Sequence, residues 1–358
     1  MSKILTISIA AYNVEKTIDQ CLSSFLTSKY LDDIELLVIN DGSTDKTAEI
    51  VSQYQEKFPN SIKLVNKENS GYGSTINTSL QLATGKYYKT IDGDDWVHAD
   101  ELDRLIECLR KTSADMIVNK YNCVFPDYIK ISRFYYDVQI GKKYVFNELT
   151  ELPKMRFDMI QMHATTVNTE KLRSVAMKVT EKCFYIDTEF IFFVALASNA
   201  IEFHDSCAYQ YRLGRDGQSV SPKGIYRYIQ DLITVTLCLM SLFNKIKSTL
   251  EEGYKKDYLF KVIESRYILI IKWYLLFIKK NDKDYLWADF RKKMDLDYRE
   301  YVEKFRMPME CRLAHRFPNL LHVSRLLLKP VVLYRTSRVL LLSVVHKLMK
   351  LNINNQHQ

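Results

Sequence analysis

The chain has 358 residues, 47% hydrophobic and 26% charged, with 51 basic and 43 acidic side chains and a net charge of +8. That is a folded composition, long enough for one large core or two modest ones. Seven cysteines without a Cys-x-x-Cys pair argue against a zinc ribbon or a disulfide framework and for a reducing compartment. The charge is uneven. No acidic residue follows Glu310, whereas Arg312, Arg316, Arg325, Lys329, Arg335, Arg338, Lys347 and Lys350 do, so the rest of the chain is neutral. A neutral globule with a basic, apolar tail points to an anionic surface as the tail's partner.

The first residues, Met-Ser-Lys-Ile-Leu-Thr-Ile-Ser-Ile-Ala, read as a strand over 4–9 and not as a signal peptide. Ala11-Tyr12-Asn13 follow, then a helical pattern through Ile18, Leu22 and Phe25. A second strand at 34–39 ends in Asn40-Asp41-Gly42-Ser43-Thr44-Asp45, where Asp45 suits the N-cap of the next helix. A short strand at 62–65 precedes Asn69-Ser70-Gly71-Tyr72-Gly73, which opens a helix to about Ala83. The fourth strand runs into Asp92-Gly93-Asp94-Asp95-Trp96. Strand and helix alternating at this spacing predict βαβ units and a mostly parallel sheet. Such sheets bind ligands beyond the carboxyl ends of their strands. That rule gathers Tyr12, Asp41 and Asp92 to Asp95 on one edge. Carboxylates this close repel one another unless a cation or polar ligand sits among them, which suits Mg²⁺ with a diphosphate. A solvated acidic turn would use the same residues.

The order Ala11-Tyr12-Asn13, Asn40-Asp41-Gly42-Ser43-Thr44-Asp45, Gly71 to Asn77 on a helix, then Asp92-Gly93-Asp94-Asp95 resembles the inverting family 2 glycosyltransferases of the GT-A fold. The resemblance covers roughly the first 120 residues and is of the bacterial cell-surface polysaccharide type. It implies an α/β, Rossmann-like sheet flanked by helices, followed here by a C-terminal helical region. It implies a nucleotide-sugar site in which Tyr12 stacks on the base and Asp41 accepts the uracil N–H. Asn77 would contact the nucleotide sugar, Asp92 the ribose or the metal, and Asp94 the Mn²⁺ or Mg²⁺ that bridges the diphosphate. A leaving UDP gathers negative charge, which a bound cation stabilises. On the residues alone, Tyr12 could equally be packed core.

Residues 98–112 read as a helix and 115–119 as a strand. Residues 121–147, with Phe134, Tyr135, Tyr136, Tyr144 and Phe146, read as hairpins or as an acceptor-side insertion. His163 lies where the sheet should rebuild, in a hydrogen-bonded structural role. Cys183-Phe-Tyr-Ile-Asp-Thr-Glu-Phe190 opens an apolar helix to about Ala200. By resemblance an acidic residue here is the general base that takes the acceptor's proton. Where many members have Glu-Asp this chain has Ile186-Asp187, which favours Asp187 and leaves Glu189 second. Asp187 as a simple helix cap is the alternative.

A strand over 201–212 leads to Leu213-Gly-Arg-Asp-Gly-Gln-Ser-Val-Ser221. This segment resembles the family's lid over the donor diphosphate, with Arg212, Arg215, Ser219 and Ser221 as phosphate contacts. An exposed loop without a role is the alternative. From about 224 the chain reads as helices, near 226–235, 254–280 and 283–305, then two amphipathic helices at 320–329 and 331–350 broken at Pro330. Lys272 interrupts residues 267–278, and Arg335 and Arg338 interrupt 331–345, so neither stretch spans a membrane. A basic helix lying on an anionic leaflet fits the 320–350 tail; packing on the helical bundle or a homo-oligomeric contact would use the same residues.

The expected divisions are a catalytic domain at 1–222 (nucleotide-sugar half 1–120, acceptor half and lid 121–222), a helical domain at 223–310 and the tail at 311–358. The expected activity is metal-dependent transfer of a hexosyl or N-acetylhexosaminyl group from a UDP-sugar to a hydroxyl of a saccharide, lipid-linked or protein-linked glycan. It would take place in cell-surface polysaccharide biosynthesis, in the cytoplasm at the inner face of the membrane. A nucleotidyltransferase or UDP-sugar hydrolase on a similar fold is the nearest alternative. Nucleotidyltransferases usually put a glycine-rich basic loop after the first strand, and Ala11-Tyr-Asn-Val-Glu is not one. Nucleic-acid binding by the tail is disfavoured by its interleaved leucines and valines.

Overall fold

The structure is a computed structural model that describes residues 3–131, 138–149, 160–213, 222–278 and 284–316. Arg215, Ser219 and Ser221 of the expected lid, Phe134, Tyr135 and Tyr136, and the expected helices at 320–350 all lie outside the described residues.

β1 (Leu5–Ala11), α1 (Ile18–Ser23), β2 (Ile34–Asp41), α2 (Thr47–Lys57), β3 (Ile62–Lys67), α3 (Tyr72–Leu82) and β4 (Tyr87–Asp92) follow one another as the sequence pattern requires. A two-residue strand β5 (Trp96–Val97), α4 (Ala99–Lys111) and β6 (Met116–Val124) come next. Then come β7 (Ile129–Ile131), β8 (Lys143–Val145), β9 (Thr165–Asn168), α5 (Thr169–Ser174), α6 (Asp187–Ala197) and β10 (Ala200–Arg212). Among the described residues that follow come the helices α7 (Pro222–Ile246, kinked at Tyr228), α8 (Tyr254–Leu276), α9 (Asp284–Asp297), α10 (Arg299–Lys304) and α11 (Met309–Arg316).

Among the described residues, one sheet holds ten strands, in the order β3-β2-β1-β4-β9-β6-β10-β5, with β7 against β6 and β8 against β10. β3, β2, β1 and β4 are parallel, and β9 runs antiparallel between β4 and β6. The register fixes the site. Ala11 pairs with Asn40, Ala10 with Asp92 and Asp41 with Lys67, so four strands end level on one edge.

The apolar strand residues have their reason in the layers. Leu5, Ile7, Ile9, Leu36, Val38 and Ile91 are buried with Ile18 and Leu22 of α1, with Phe25 just after it, and with Leu102, Leu105, Ile106 and Leu109 of α4. Each such side chain contributes roughly 1.5–3 kcal/mol on burial. Where β1 and β4 meet α3, polar groups are paired instead: Ser79 Oγ lies 2.7 Å from both Ser8 Oγ and the Tyr88 hydroxyl.

The chain divides into two compact units, Met1–Gln218 with Leu237–Val262, and Ser219–Thr236 with Ile263–Gln358. The second holds an aromatic core in which Tyr267 meets Phe305 at 5.1 Å and bonds His315 Nδ1 at 2.7 Å. Among the described residues one helical stretch, Lys223–Ile246, is long and apolar enough to cross a membrane, by length and composition only, and 44% of its apolar window is buried. The sequence reading considered 267–278 and 331–345 and passed over this stretch.

Candidate active site

The loop after β1 is tied to the loop after β2 by side chains. Asn13, with a left-handed φ of 51°, accepts from Thr44 N at 2.9 Å, and its own N–H donates to Ser43 Oγ at 3.0 Å. Asp45 accepts from Thr47 N and Glu15 N, both at 3.0 Å, so the expected cap also fastens the β1 loop. Between these anchors Tyr12 stands 53% exposed at the sheet edge and is not core.

Asp41 is 3% exposed, and its carboxylate is heavily used. Oδ1 accepts from Lys67 Nζ at 2.6 Å, Ser70 N at 3.0 Å and Ser74 Oγ at 3.3 Å, while Oδ2 accepts from Gly71 N at 2.8 Å. A carboxylate has about four acceptor positions. Oδ2 therefore keeps one for a ligand, and the turn before α3 is built around this side chain.

The aspartate motif is a tight turn. Gly93 N donates to Ala10 O at 2.9 Å, Asp95 N to Asp92 O at 3.0 Å, and a Cβ on Gly93 would lie 2.8 Å from Ala10 O. The three carboxylates then separate. Asp95 is buried and spent, with Oδ2 accepting from the Tyr209 hydroxyl at 2.8 Å and Oδ1 from Arg212 N at 2.7 Å. Burial, and then the charges of Asp92 and Asp94, push its pKa up to about 8. Asp92 is half-buried and hydrogen-bonded to the Tyr72 phenol. Asp94 is half-exposed, and its carbonyl accepts from Arg212 Nε at 2.8 Å. The Arg212 guanidinium lies 4.6 Å over the Trp96 ring and reaches Gln20 Oε1 at 2.6 Å.

Asp187 is the first residue of α6, behind Ile186 at the cap. Its charge raises the pKa of Tyr72 and Tyr211, after burial and after the charge of Asp92 on the same two phenols. Asp187 and Asp92, 95 positions apart, thus both act on the Tyr72 and Tyr211 phenols, Asp187 the more weakly. Glu189 does not join them. It is 3% exposed and accepts from Thr180 N at 2.7 Å and Thr180 Oγ1 at 2.8 Å. Asn77 is likewise turned to a loop, with Nδ2 donating to Val179 O and Oδ1 accepting from Val179 N, both at 3.0 Å.

Under the motif, His163 packs 4.2 Å from the Tyr211 ring and 4.9 Å from that of Tyr209. Burial, and then Lys89, lower its pKa to about 3. Among the described residues, Asp92, Asp95 and His163 bring ligand atoms within 4.8 Å of one another. Lys89 is buried, donates to His163 O at 2.8 Å and Thr165 O at 3.2 Å, and is lowered to about 7 by burial. Sequence reading missed Lys67, Tyr72, Lys89, Tyr209 and Tyr211. The Tyr-Gln-Tyr alternation at 209–211 was the one local signal that two aromatic rings share a sheet face.

Residues 6–170 match the model of glycosyl transferase family 2. The fold of the chain is that of GT-A glycosyltransferase structures, and the family match covers residues 6–170. Among relatives, glycosyltransferase GlyA of Streptococcus pneumoniae serotype 4 is 35% identical over 117 residues, 33% of this chain and 16% of that protein. The poly(ribitol-phosphate) beta-glucosyltransferase of Bacillus spizizenii is 24% identical over 240 residues, 64% of this chain and 36% of that protein. The chain thus spans less than half the length of these curated relatives. The structure of S. aureus TarS 1–349 in complex with UDP superposes with a TM-score of 0.66 at 17% identity, over 90% of this chain and 88% of that one. At that identity the likeness is one of fold.

Proposed function

We propose that the chain is an inverting glycosyltransferase that moves a hexose or N-acetylhexosamine from a UDP-sugar to a hydroxyl of a glycan acceptor, in cell-surface glycan synthesis. The observation that carries this reading is the level ending of β1, β2 and β4, which brings Tyr12, Asp41 and Asp92 to one sheet edge. The family match supports it, as does UDP as the ligand of a TarS structure with the same fold.

In this reading Tyr12 offers its exposed ring to the base, and Asp41 its remaining Oδ2 position to the uracil N–H. Asp92 and Asp94 would hold Mn²⁺ or Mg²⁺; the His163 imidazole lies close to Asp92 and Asp95. The donor set fits, since hard divalent cations prefer carboxylate oxygens and Asp95 is already bonded to Tyr209 and Arg212. The cation, when bound, stabilises the charge that develops on the diphosphate. Asp187 takes the proton of the acceptor hydroxyl as its oxygen bonds the anomeric carbon. The bond from that carbon to the diphosphate breaks on the opposite face, so the configuration inverts. Arg212, at the start of the 213–221 segment, would contact the diphosphate together with Arg215, Ser219 and Ser221. The basic tail at 320–350 would hold the enzyme at an anionic leaflet on the cytoplasmic side.

The test is to incubate purified protein with Mn²⁺ and a panel of nucleotide sugars and score UDP release. Asp187→Asn should abolish transfer and leave UDP affinity unchanged. Equal loss of UDP binding would remove Asp187 from the role of base.

A further inference from the structure

We infer that Asn77 and Glu189 are positioning residues that hold the loop carrying Asp187, and that neither touches donor or acceptor. The inference rests on Asp187 as the base. It goes beyond the family assignment, which says nothing of how this chain places that carboxylate.

The loop in question runs between α5 and α6. Its middle is fastened at three successive points. Val179 forms a closed pair of hydrogen bonds with the Asn77 carboxamide, N–H to Oδ1 and carbonyl from Nδ2, each 3.0 Å. A backbone peptide is thus satisfied as in a sheet ladder, by a side chain on α3. Thr180 is next, giving both its N–H and its hydroxyl to the Glu189 carboxylate at 2.7 and 2.8 Å. Lys182 N then donates to Ser70 O at 2.8 Å. Two glycines make room for this. A Cβ on Gly73 would lie 2.1 Å from Thr180 O, and one on Gly71 would lie 3.0 Å from Lys182 N.

The loop needs such fastening, because its backbone is strained. Ala176, Lys182 and Tyr185 take left-handed φ values of 48°, 51° and 64°, conformations that side chains other than glycine disfavour. Among the described residues only Asn13 shares that property outside glycine. Strain persists where the surroundings over-determine the backbone, and here the last strained residue lies two positions before Asp187.

The helix geometry separates the two acidic residues of α6. Positions two apart on a helix point about 200° away from each other. Glu189 looks back to Thr180, so Asp187 points the other way around the helix. Asn77 and Glu189 therefore act on the base from behind, through the loop between Val179 and Ile186.

The experiment compares the full chain with Asn77→Ala, Glu189→Ala, Glu189→Gln and Asp187→Asn. It measures steady-state UDP release with Mn²⁺ and the active nucleotide sugar, UDP affinity by calorimetry, and amide hydrogen exchange across 176–186. Misplacing a catalytic group by about 1 Å costs up to roughly 100-fold. Asn77→Ala and Glu189→Ala should lower kcat about 10- to 100-fold with UDP affinity unchanged, and should raise exchange at Val179 and Thr180. Glu189→Gln can still accept from Thr180 N and bond its hydroxyl, so it should rescue both turnover and protection. A Glu189→Gln enzyme as inactive as Asp187→Asn would make Glu189 the base and overturn the inference. So would an Asn77→Ala enzyme that loses UDP affinity and keeps kcat. The exchange readout needs no turnover. If the wild-type chain neither binds UDP nor releases it, the proposed function fails by itself, and unchanged protection in Asn77→Ala and Glu189→Ala still overturns the fastening.

Discussion

Asp41→Ala should destabilise the N-terminal unit before any ligand is considered. The carboxylate is 3% exposed and accepts from an ammonium, two backbone N–H groups and a hydroxyl. Truncation leaves Ser70 N and Gly71 N facing a void and Lys67 without its counter-charge. Removing one partner of a buried ion pair costs about 3–5 kcal/mol. Lys67 keeps bonds to Glu68 O and Ser74 Oγ, and its side chain is 19% exposed, so the lower end applies, about 3 kcal/mol. For a domain of about 150–250 residues this corresponds to roughly 6–12 °C in Tm. Urea unfolding of both proteins, followed by far-UV circular dichroism without nucleotide, measures the difference. A companion Lys67→Ala and the double variant isolate the pair, and the double should cost clearly less than the two singles added. A loss under about 1 kcal/mol, the worth of one ordinary hydrogen bond, would refute the scaffold role and leave Asp41 a ligand contact alone.

Tyr12→Ala should weaken UDP binding about 10-fold, the worth of one stacked base, with stability unchanged because the ring is already exposed. Calorimetry and a thermal melt check the two halves, and a large fall in Tm would return Tyr12 to the core. Removing divalent cations with EDTA should abolish UDP release, and added Mn²⁺ or Mg²⁺ should restore it; turnover that survives the chelator would dismiss the metal. Burial lowers Lys89 from 10.5 to about 7. Between those values the unfolded chain holds a proton that the folded chain has lost, so stability rises with pH across the window, by at most about 1.4 kcal/mol per unit. Lys89→Met should remove that slope in denaturant titrations from pH 7 to 9, and parallel curves for both proteins would refute it.

The half of the fold that builds the sheet edge was legible because its signals are local. An apolar run ending in Asn40-Asp41-Gly42 or Asp92-Gly93-Asp94 announces a buried strand and its exit in one stretch, and β1, β2 and β4 appear as read. The antiparallel insertion of β9 between β4 and β6 was not legible, since four residues carry no statement of which strands they join. The same holds for side chains. Asn77 could be placed on a helix near the site, yet its partner is Val179, 102 positions on. Glu189 stood beside Asp187 in sequence as a rival, and only the helix turn and Thr180 set the two apart. Tyr72 joins Asp92 to Asp187 and has no motif of its own. The segment at 214–221, with three expected phosphate contacts, lies outside the described residues, so its reading stands on the sequence.

The aspartate motif gains most from these partners, because sequence cannot say which of three adjacent carboxylates is structural. Asp95 holds the end of β10 to the turn, through Tyr209 and the Arg212 backbone, and Arg212 returns to the Asp94 carbonyl and the Trp96 ring. The first residue of the expected lid is therefore fixed to the last residues of the motif. A change at Asp95 should consequently disturb Arg212 and the motif together, although Asp95 itself is spent on protein donors. The same economy recurs at Asp41, which shapes the turn before α3, and at that turn Ser70 holds Lys182. Nucleotide end and base end are thus joined through short hydrogen-bonded links. In such an arrangement, losses of binding and of turnover can be separated only by variants that keep the links, such as Glu189→Gln and Asp187→Asn.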